Sequence, residues 1–219
     1  TKTVTDPGPE GEPVSREQAE EYVKQLFKAY TPNVTYAETE AEGAVAVYSF
    51  KVTFGEADAY VAYADVSQKG GKLCSMIFYR ETGEASLSPT QAVKAGERYL
   101  MSLGYTDMKS SYYSVQGNYV TANYSFYKDN ILYYPDMVKV KVALDTGEVT
   151  GFEGTSYLLN HRERTLTENK ISMEEAEKKL SPHVTLENAC EAVIPNDFGG
   201  ETHVYEFKCS YEGRDVLIY

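Results

Sequence analysis

The chain has 219 residues, a hydrophobic content of 42% and a net charge of −12 at pH 7, enough material for one to three packed domains. The acidic balance argues against nucleic acid and anionic lipid as partners, because both are held by clustered Lys and Arg. The 20 Tyr and 8 Phe, with no Trp, suit β-rich structure and half-buried interfaces.

Residues 1–14 carry Pro7, Pro9 and Pro13 among Gly and acids, which reads as a linker. Ser15 then opens a helix, with Gln18 placed to complete a capping box. Ala19, Tyr22, Val23, Leu26, Phe27 and Tyr30 recur at helical spacing, and Pro32 stops the run. Beyond the acidic stretch Glu38–Glu42 the period changes to two. Residues 44–52, 59–66 and 73–80 read as strands, with a turn at Lys69–Lys72.

A second helix is signalled by Ser88 as N-cap, Pro89 at the first helical position and Gln91 closing the box. Ala92, Ala95, Tyr99, Leu100 and Leu103 form its stripe, and Gly104 its left-handed stop. Strands follow at 119–127 and 138–144, with turns at 128–130 and at Asp145–Glu148. Glu81–Glu84 carries the same Thr-Gly-Glu sequence as the second of these turns and reads as its counterpart. A third helix opens at Ser172 and ends early, before Ser181-Pro182. Strands at 203–211 and 215–219 flank a turn at 212–214. By analogy with the earlier copies one more strand should follow, so this unit is expected to show an incomplete sheet or an exposed edge.

Each helix start is Ser-led with Ala four residues on (Ala19, Ala92, Ala176). Each is followed at similar distance by Tyr-x-Phe, at Tyr48–Phe50, Tyr124–Phe126 and Tyr205–Phe207. A period of roughly 70–85 residues is too long for a solenoid. The expected fold is therefore α+β, with three tandem units, each a helix packed on a small antiparallel sheet. The boundaries are a linker at 1–14, a divergent unit at 15–87, a unit at 88–160, a linker at 161–171, and a C-terminally incomplete unit at 172–219.

Catalytic chemistry is hard to place. Cys74, Cys190 and Cys209 match no zinc or redox spacing, although Cys190 and Cys209 share one unit and could meet. His161, His183 and His203 sit in no nucleophile or metal-binding motif, and no phosphate-cradling glycine loop occurs. No catalytic, metal or cofactor-binding residue is assigned. A hidden carboxylate pair of glycosidase type is the enzymatic alternative among the 33 acids. Two glycosylation sequons, at Asn33 and Asn123, read as chance matches, the second lying inside a predicted strand. No stretch resembles a signal peptide or a membrane span. The start at Thr1 without Met points to a piece of something longer.

Binding residues are sought where aromatics lie beside turns. Tyr112 and Tyr113, Tyr133 and Tyr134, and Arg162 in the locally basic run His161–Arg164 are the candidates for partner contact. The competing readings are aromatics that close the end of a sheet, and a charged linker or inter-domain salt bridge.

The N-capped helix with its early Ala, followed by antiparallel strands and a Thr-Gly-Glu hairpin, resembles the PepSY domain. That domain is found in protease propeptides and in extracytoplasmic bacterial proteins. The runs Tyr133–Phe152 and Tyr157–Arg164, with Val204–Phe207, are similar to the C-terminal region of the YpeB family of spore germination proteins. This likeness covers most of residues 88–219, and the first unit fits as a divergent PepSY copy. The resemblance implies a non-enzymatic protein without cofactors. It would bind, stabilise and restrain a cortex-lytic enzyme of SleB type until germination. It also implies an extracytoplasmic location in the spore, at the inner membrane and cortex. An N-terminal anchor would lie upstream, and the present residues would make no membrane contact. The alternative is a propeptide-like inhibitor that protects a partner from proteolysis.

Overall fold

The computed structural model describes residues 9–37 and 45–219. The acidic stretch 38–42 and the start of the strand expected at 44 lie outside the described residues.

All three Ser-led boxes form. In helix α1 (Arg16–Leu26) the Gln18 amide N–H donates to Ser15 Oγ at 3.3 Å, and the Ser15 N–H donates to Gln18 Oε1 at 2.8 Å. Ser88 and Gln91 repeat this before α2 (Pro89–Ser102), as do Ser172 and Glu175 before α4 (Met173–Glu177). These reciprocal bonds satisfy N–H groups that a helix start leaves without partners. A one-turn helix, α3 (Thr155–Asn160), was not anticipated. Helix α1 ends at Leu26 rather than running to Tyr30. Lys28–Tyr30 tightens into a 3₁₀ turn and Thr31 adopts φ 53°, which brings the Tyr30 ring to 4.7 Å from Phe54.

Among the described residues eleven strands follow one another: β1 (Asn33–Ala37), β2 (Val47–Phe54), β3 (Tyr60–Ser67), β4 (Leu73–Tyr79), β5 (Met108–Gln116), β6 (Tyr119–Lys128), β7 (Ile131–Ala143), β8 (Val149–Glu153), β9 (Thr185–Pro195), β10 (Glu201–Tyr211) and β11 (Arg214–Ile218). They form antiparallel meanders β1–β4, β5–β8 and β9–β11. The expectation of separate small sheets does not hold, because among the described residues all eleven strands join one sheet. Strand β4 pairs antiparallel with β8 through Ser75↔Glu153, Met76↔Phe152 and Ile77↔Gly151. The long β7 holds β6 along one edge; along the other it holds β8 and, in parallel, β9 through Ile131↔Glu191, Leu132↔Ala192 and Tyr133↔Val193. Pairing satisfies backbone edges that separate sheets would leave open. The mixed α/β character stands; α4, a helix of 5 residues, buries none of them.

Helices α1 and α2 lie on one face of the first two meanders and share a single core. Ala19, Val23 and Phe27, then Ala92, Val93 and Leu100, pack on Phe50, Val52, Met76, Phe78, Val120, Tyr124, Val140 and Phe152. None of the buried residues of β9–β11 belongs to this cluster.

Three local expectations are corrected. Asp145–Glu148 closes β7 onto β8 with Gly147 at φ 77°, but Glu81–Glu84 closes no hairpin and instead leads from β4 towards α2. The matching turn of the first meander is Lys69–Lys72, with Gly70 at φ 78°. There a side chain on Gly70 would strike the Glu10 carbonyl at 2.1 Å, because the N-terminal segment crosses the turn. Residues 9–14 are thus docked rather than a loose linker: the Gly70 N–H donates to Glu12 O and the Val14 N–H to Gln68 O, both at 2.9 Å. Finally, Cys190 faces Glu206 and Cys209 faces Leu186 across the β9–β10 ladder, so the two thiols sit in different rows and both are free.

Candidate interface and the arginine joints that shape it

Two arginines tie the meanders together. Arg80, just after β4, grips Asp145 in the β7–β8 turn through two bonds of 2.6 and 2.9 Å. Its Nη2 also reaches Thr146 Oγ1 at 2.7 Å, and its Nε lies 2.7 Å from Glu148 Oε2. The Gly83 N–H adds a bond of 2.8 Å to Asp145 Oδ2. This explains why the Thr-Gly-Glu stretch after β4 is irregular: it wraps the carboxylate. The two-pronged Arg–carboxylate geometry is the strong form of an ion pair.

Hydrogen bonding from Arg80 holds the Asp145 carboxyl well below its usual range, against the opposing effect of burial. A depressed folded-state value contributes stability that is present above the unfolded value of about 3.9 and is lost as pH falls through the folded one. The stability difference between the wild type and Asp145→Asn should therefore stay flat from neutral pH down to about pH 5 and shrink below about pH 4. Denaturant titrations at a series of pH values check this; a difference that grew on acidification would refute the assignment.

The second joint is built on a bulge. Along β6–β7 the register passes from Ser125↔Met137 directly to Phe126↔Tyr133, leaving Tyr134, Pro135 and Asp136 outside the ladder. Pro135 has no N–H to offer a ladder, so a bulge suits it. The bulge carries Asp136 to full burial, with 0% exposure. Arg164 meets it with bonds of 2.5 and 2.9 Å and meets Glu201 of β10 with bonds of 2.8 and 2.9 Å. His161 Nδ1 lies 2.8 Å from Asp136 Oδ2, its ring stacked 4.3 Å from Tyr157. Burial alone would lower the Arg164 pKa, but the bonds to Glu201 and Asp136 outweigh it and hold the guanidinium above its ordinary value. His203 pins the same connector to the third meander. Its Nδ1 lies 2.9 Å from Thr167 O and its Nε2 2.7 Å from Glu191 Oε2.

The five candidate binding residues separate in this frame. Tyr112 and Tyr113 stand on β5, 50% and 47% exposed. Arg162 is half exposed and pairs with Glu201 at 3.2 Å. Tyr133 is corrected to an interior residue: it is 9% exposed, lies 5.5 Å from Phe126 and has the Arg164 guanidinium over its ring at 5.4 Å. Tyr134 is partly buried, and desolvation with the neighbouring Glu206 carboxylate pushes its phenol pKa far up. Both belong to the strand that joins the second and third meanders, which is why they are withdrawn from the surface.

Two further surfaces were missed in the sequence. On the sheet face opposite the helices, Tyr63, Ile77 and Tyr79 are exposed, with the two Tyr rings 6.3 Å apart. Alternation puts them there, because Ala62, Ala64, Met76 and Phe78 take the core side. An apolar groove of about 370 Å³ lies between α4 and the third meander, lined by Ala176, Leu180, Phe207 and Ile218. Among the described residues no three His, Cys, Asp or Glu side chains converge as a metal would require, and no helix is long and apolar enough to cross a membrane.

The family model described as YpeB sporulation, PepSY1 and PepSY2 domains matches residues 1–167, the first two meanders and both joint arginines. This chain belongs to the YpeB family. It is 30% identical over 198 residues to the sporulation protein YpeB of Halalkalibacterium halodurans, covering 88% of this chain and 43% of that protein. It is 28% identical over 207 residues to YpeB of Bacillus subtilis, covering 92% of this chain and 46% of that one. The chain thus spans under half the length of these relatives. The Bacillus megaterium YpeB C-terminal domain has a similar structure, with a TM-score of 0.87 and 25% identity over 95% of this chain and 92% of that domain.

Proposed function

We propose that this chain is a non-enzymatic spore germination protein that binds, stabilises and restrains a cortex-lytic enzyme of SleB type. It acts outside the cytoplasm, between the spore inner membrane and cortex, and needs no cofactor. It is organised as three tandem PepSY-like units, at 15–87, 88–160 and 172–219, each a helix on its own meander within the common sheet. Membership of the YpeB family carries this reading. The recurrence of a boxed Ser start before each meander, with Tyr-x-Phe on β2, β6 and β10, supports the threefold organisation.

The physical design also suits restraint of a partner. Two arginine joints and continuous strand pairing make a stiff scaffold, which limits the ordering cost of association. The exposed row Tyr63, Ile77 and Tyr79 offers rigid aromatic contact area of the kind that dominates interfaces. Calorimetric titration of the purified chain with a purified SleB-type enzyme tests the proposal, followed by lysis of cortex peptidoglycan by the mixture. Micromolar or tighter binding with loss of lysis is expected, and Tyr79→Ala should weaken binding on the order of tenfold. A folded, active enzyme that neither binds nor loses activity would overturn it.

A further inference from the structure

Among the described residues β5 pairs only with β6, so its other edge is open. Natural sheets blunt such edges with charge, Pro or short length. This one uses none of them over its last stretch. No charged residue occurs between Lys109 and Lys128, in a chain that is 25% charged. The bulge of β5 lies at Ser110/Tyr112, and from Tyr112 to Gln116 the ladder is regular, with Tyr112↔Asn123 and Gln116↔Tyr119 at its ends. Tyr112, Tyr113 and Val115 are large exposed groups on this short segment, Val115 being 50% exposed. The edge strands β1 and β11, which like β5 pair on one side among the described residues, differ: β1 has 5 residues, and β11 begins with the charged pair Arg214 and Asp215.

We propose that the β5 edge pairs antiparallel with the β5 edge of a second copy of this chain, about a two-fold axis at Ser114. Self-complementarity chooses the occupant, and charge limits where two copies can meet. Two copies each carrying a net charge of −12 repel as they approach, and an uncharged strand lets them meet without placing like charges face to face. The sequence is also self-complementary in that register. Tyr113 falls opposite Val115 of the other copy, an aromatic to β-branched pair made twice, and Tyr112 falls opposite Gln116. Ser114 faces itself, small and neutral. The result is a sheet continuous through both copies.

Sedimentation velocity across the micromolar to millimolar range tests this. The 24.5 kDa chain should shift to twice that mass as concentration rises. Ser114→Lys and Ser114→Glu each place like charges face to face at the axis, and each should remain monomeric. Mixed in equal amounts they should recover the dimer, and that recovery should weaken with added salt. Ser114→Thr, neutral and suited to a strand, should dimerise like the wild type. A wild type that stays monomeric throughout overturns the proposal and leaves the edge to a strand of another protein. A dimer that persists in Ser114→Lys overturns it in favour of a different face.

Discussion

Arg164→Met should cost the third meander about 3–5 kcal/mol, the range for removing one partner of a buried ion pair. The size follows from what is left behind. Asp136 has no exposed surface, and both of its oxygens are bonded to Arg164, with His161 the other neighbour. Without the guanidinium, Asp136 loses its bidentate partner, and among the described residues Glu201 keeps the half-exposed Arg162 as its ion-pair partner. The damage should be local, because β9–β11 contribute nothing to the core shared by α1, α2 and the first eight strands. Hydrogen exchange should show faster opening in β9–β11, with the amides of β2, β3, β6 and α2 little changed. Substituting Asp136→Leu and Glu201→Gln along with Arg164→Met should recover most of the loss, since no buried charge is then left without a partner and Arg162 is exposed to solvent. A loss under about 1 kcal/mol in the single variant, or a uniform rise in exchange over the whole chain, would mean that the joint does not hold the third meander.

The elements readable in the sequence are those whose causes are local. Ser15 with Gln18 and Ser88 with Gln91 announce helix starts because both partners of the reciprocal bond lie within four residues. The β7–β8 turn is readable because Gly147 supplies the positive φ that the turn requires. The strands given no range in the sequence are β1, β5, β8 and β9, of which β8 follows only by implication from the turn at Asp145–Glu148. β5 is Ser-rich and exposed on both faces from Tyr112 onward, so it has no burial alternation, and β9 carries Glu187 and Glu191 among its apolar residues. Their pairing depends on a neighbouring strand and leaves little trace in their own residues. The same limit hid the single sheet, whose β4–β8 and β7–β9 contacts join segments distant in the chain. At the second joint, the run His161–Arg164 was visible as a basic cluster, and the salt-bridge reading of it is what the structure contains. Its acceptors Asp136 and Glu201 lie 28 and 37 residues from Arg164, and no spacing rule points to them. The one available clue was Pro135 inside an apolar strand pattern, where a bulge competes with a turn. Placing Tyr133 and Tyr134 beside the turn at 128–130, without that bulge, put them at the surface.

Gly96→Ala inverts the usual rule for a helix interior. In the middle of α2, propensity alone favours Ala over Gly by about 0.8–1.0 kcal/mol. Here, however, a Cβ would lie 2.2 Å from the Tyr124 hydroxyl oxygen. That oxygen cannot move aside cheaply. Tyr124 is fully buried, and its hydroxyl donates to Val93 O at 2.6 Å. Making room means displacing the ring within the packed β6 face or breaking this bond. Overpacking costs about 1–3 kcal/mol, and a hydrogen bond lost in the interior adds about 1 kcal/mol. The sum exceeds the gain in propensity, so Gly96→Ala should destabilise the shared core by about 1–3 kcal/mol. The discriminating measurement is the same substitution in a Tyr124→Phe background. There the nearest remaining ring atom, Cζ, is 3.1 Å from the added methyl, and no buried bond is at stake. Most of the cost should vanish in that background, and the two sites should couple by more than about 0.5 kcal/mol in the double-mutant cycle. Equal costs in both backgrounds would locate the penalty elsewhere in the helix. A stabilising Gly96→Ala would show that α2 can shift away from β6, and that the fit of glycine against tyrosine does not set the spacing of helix and sheet.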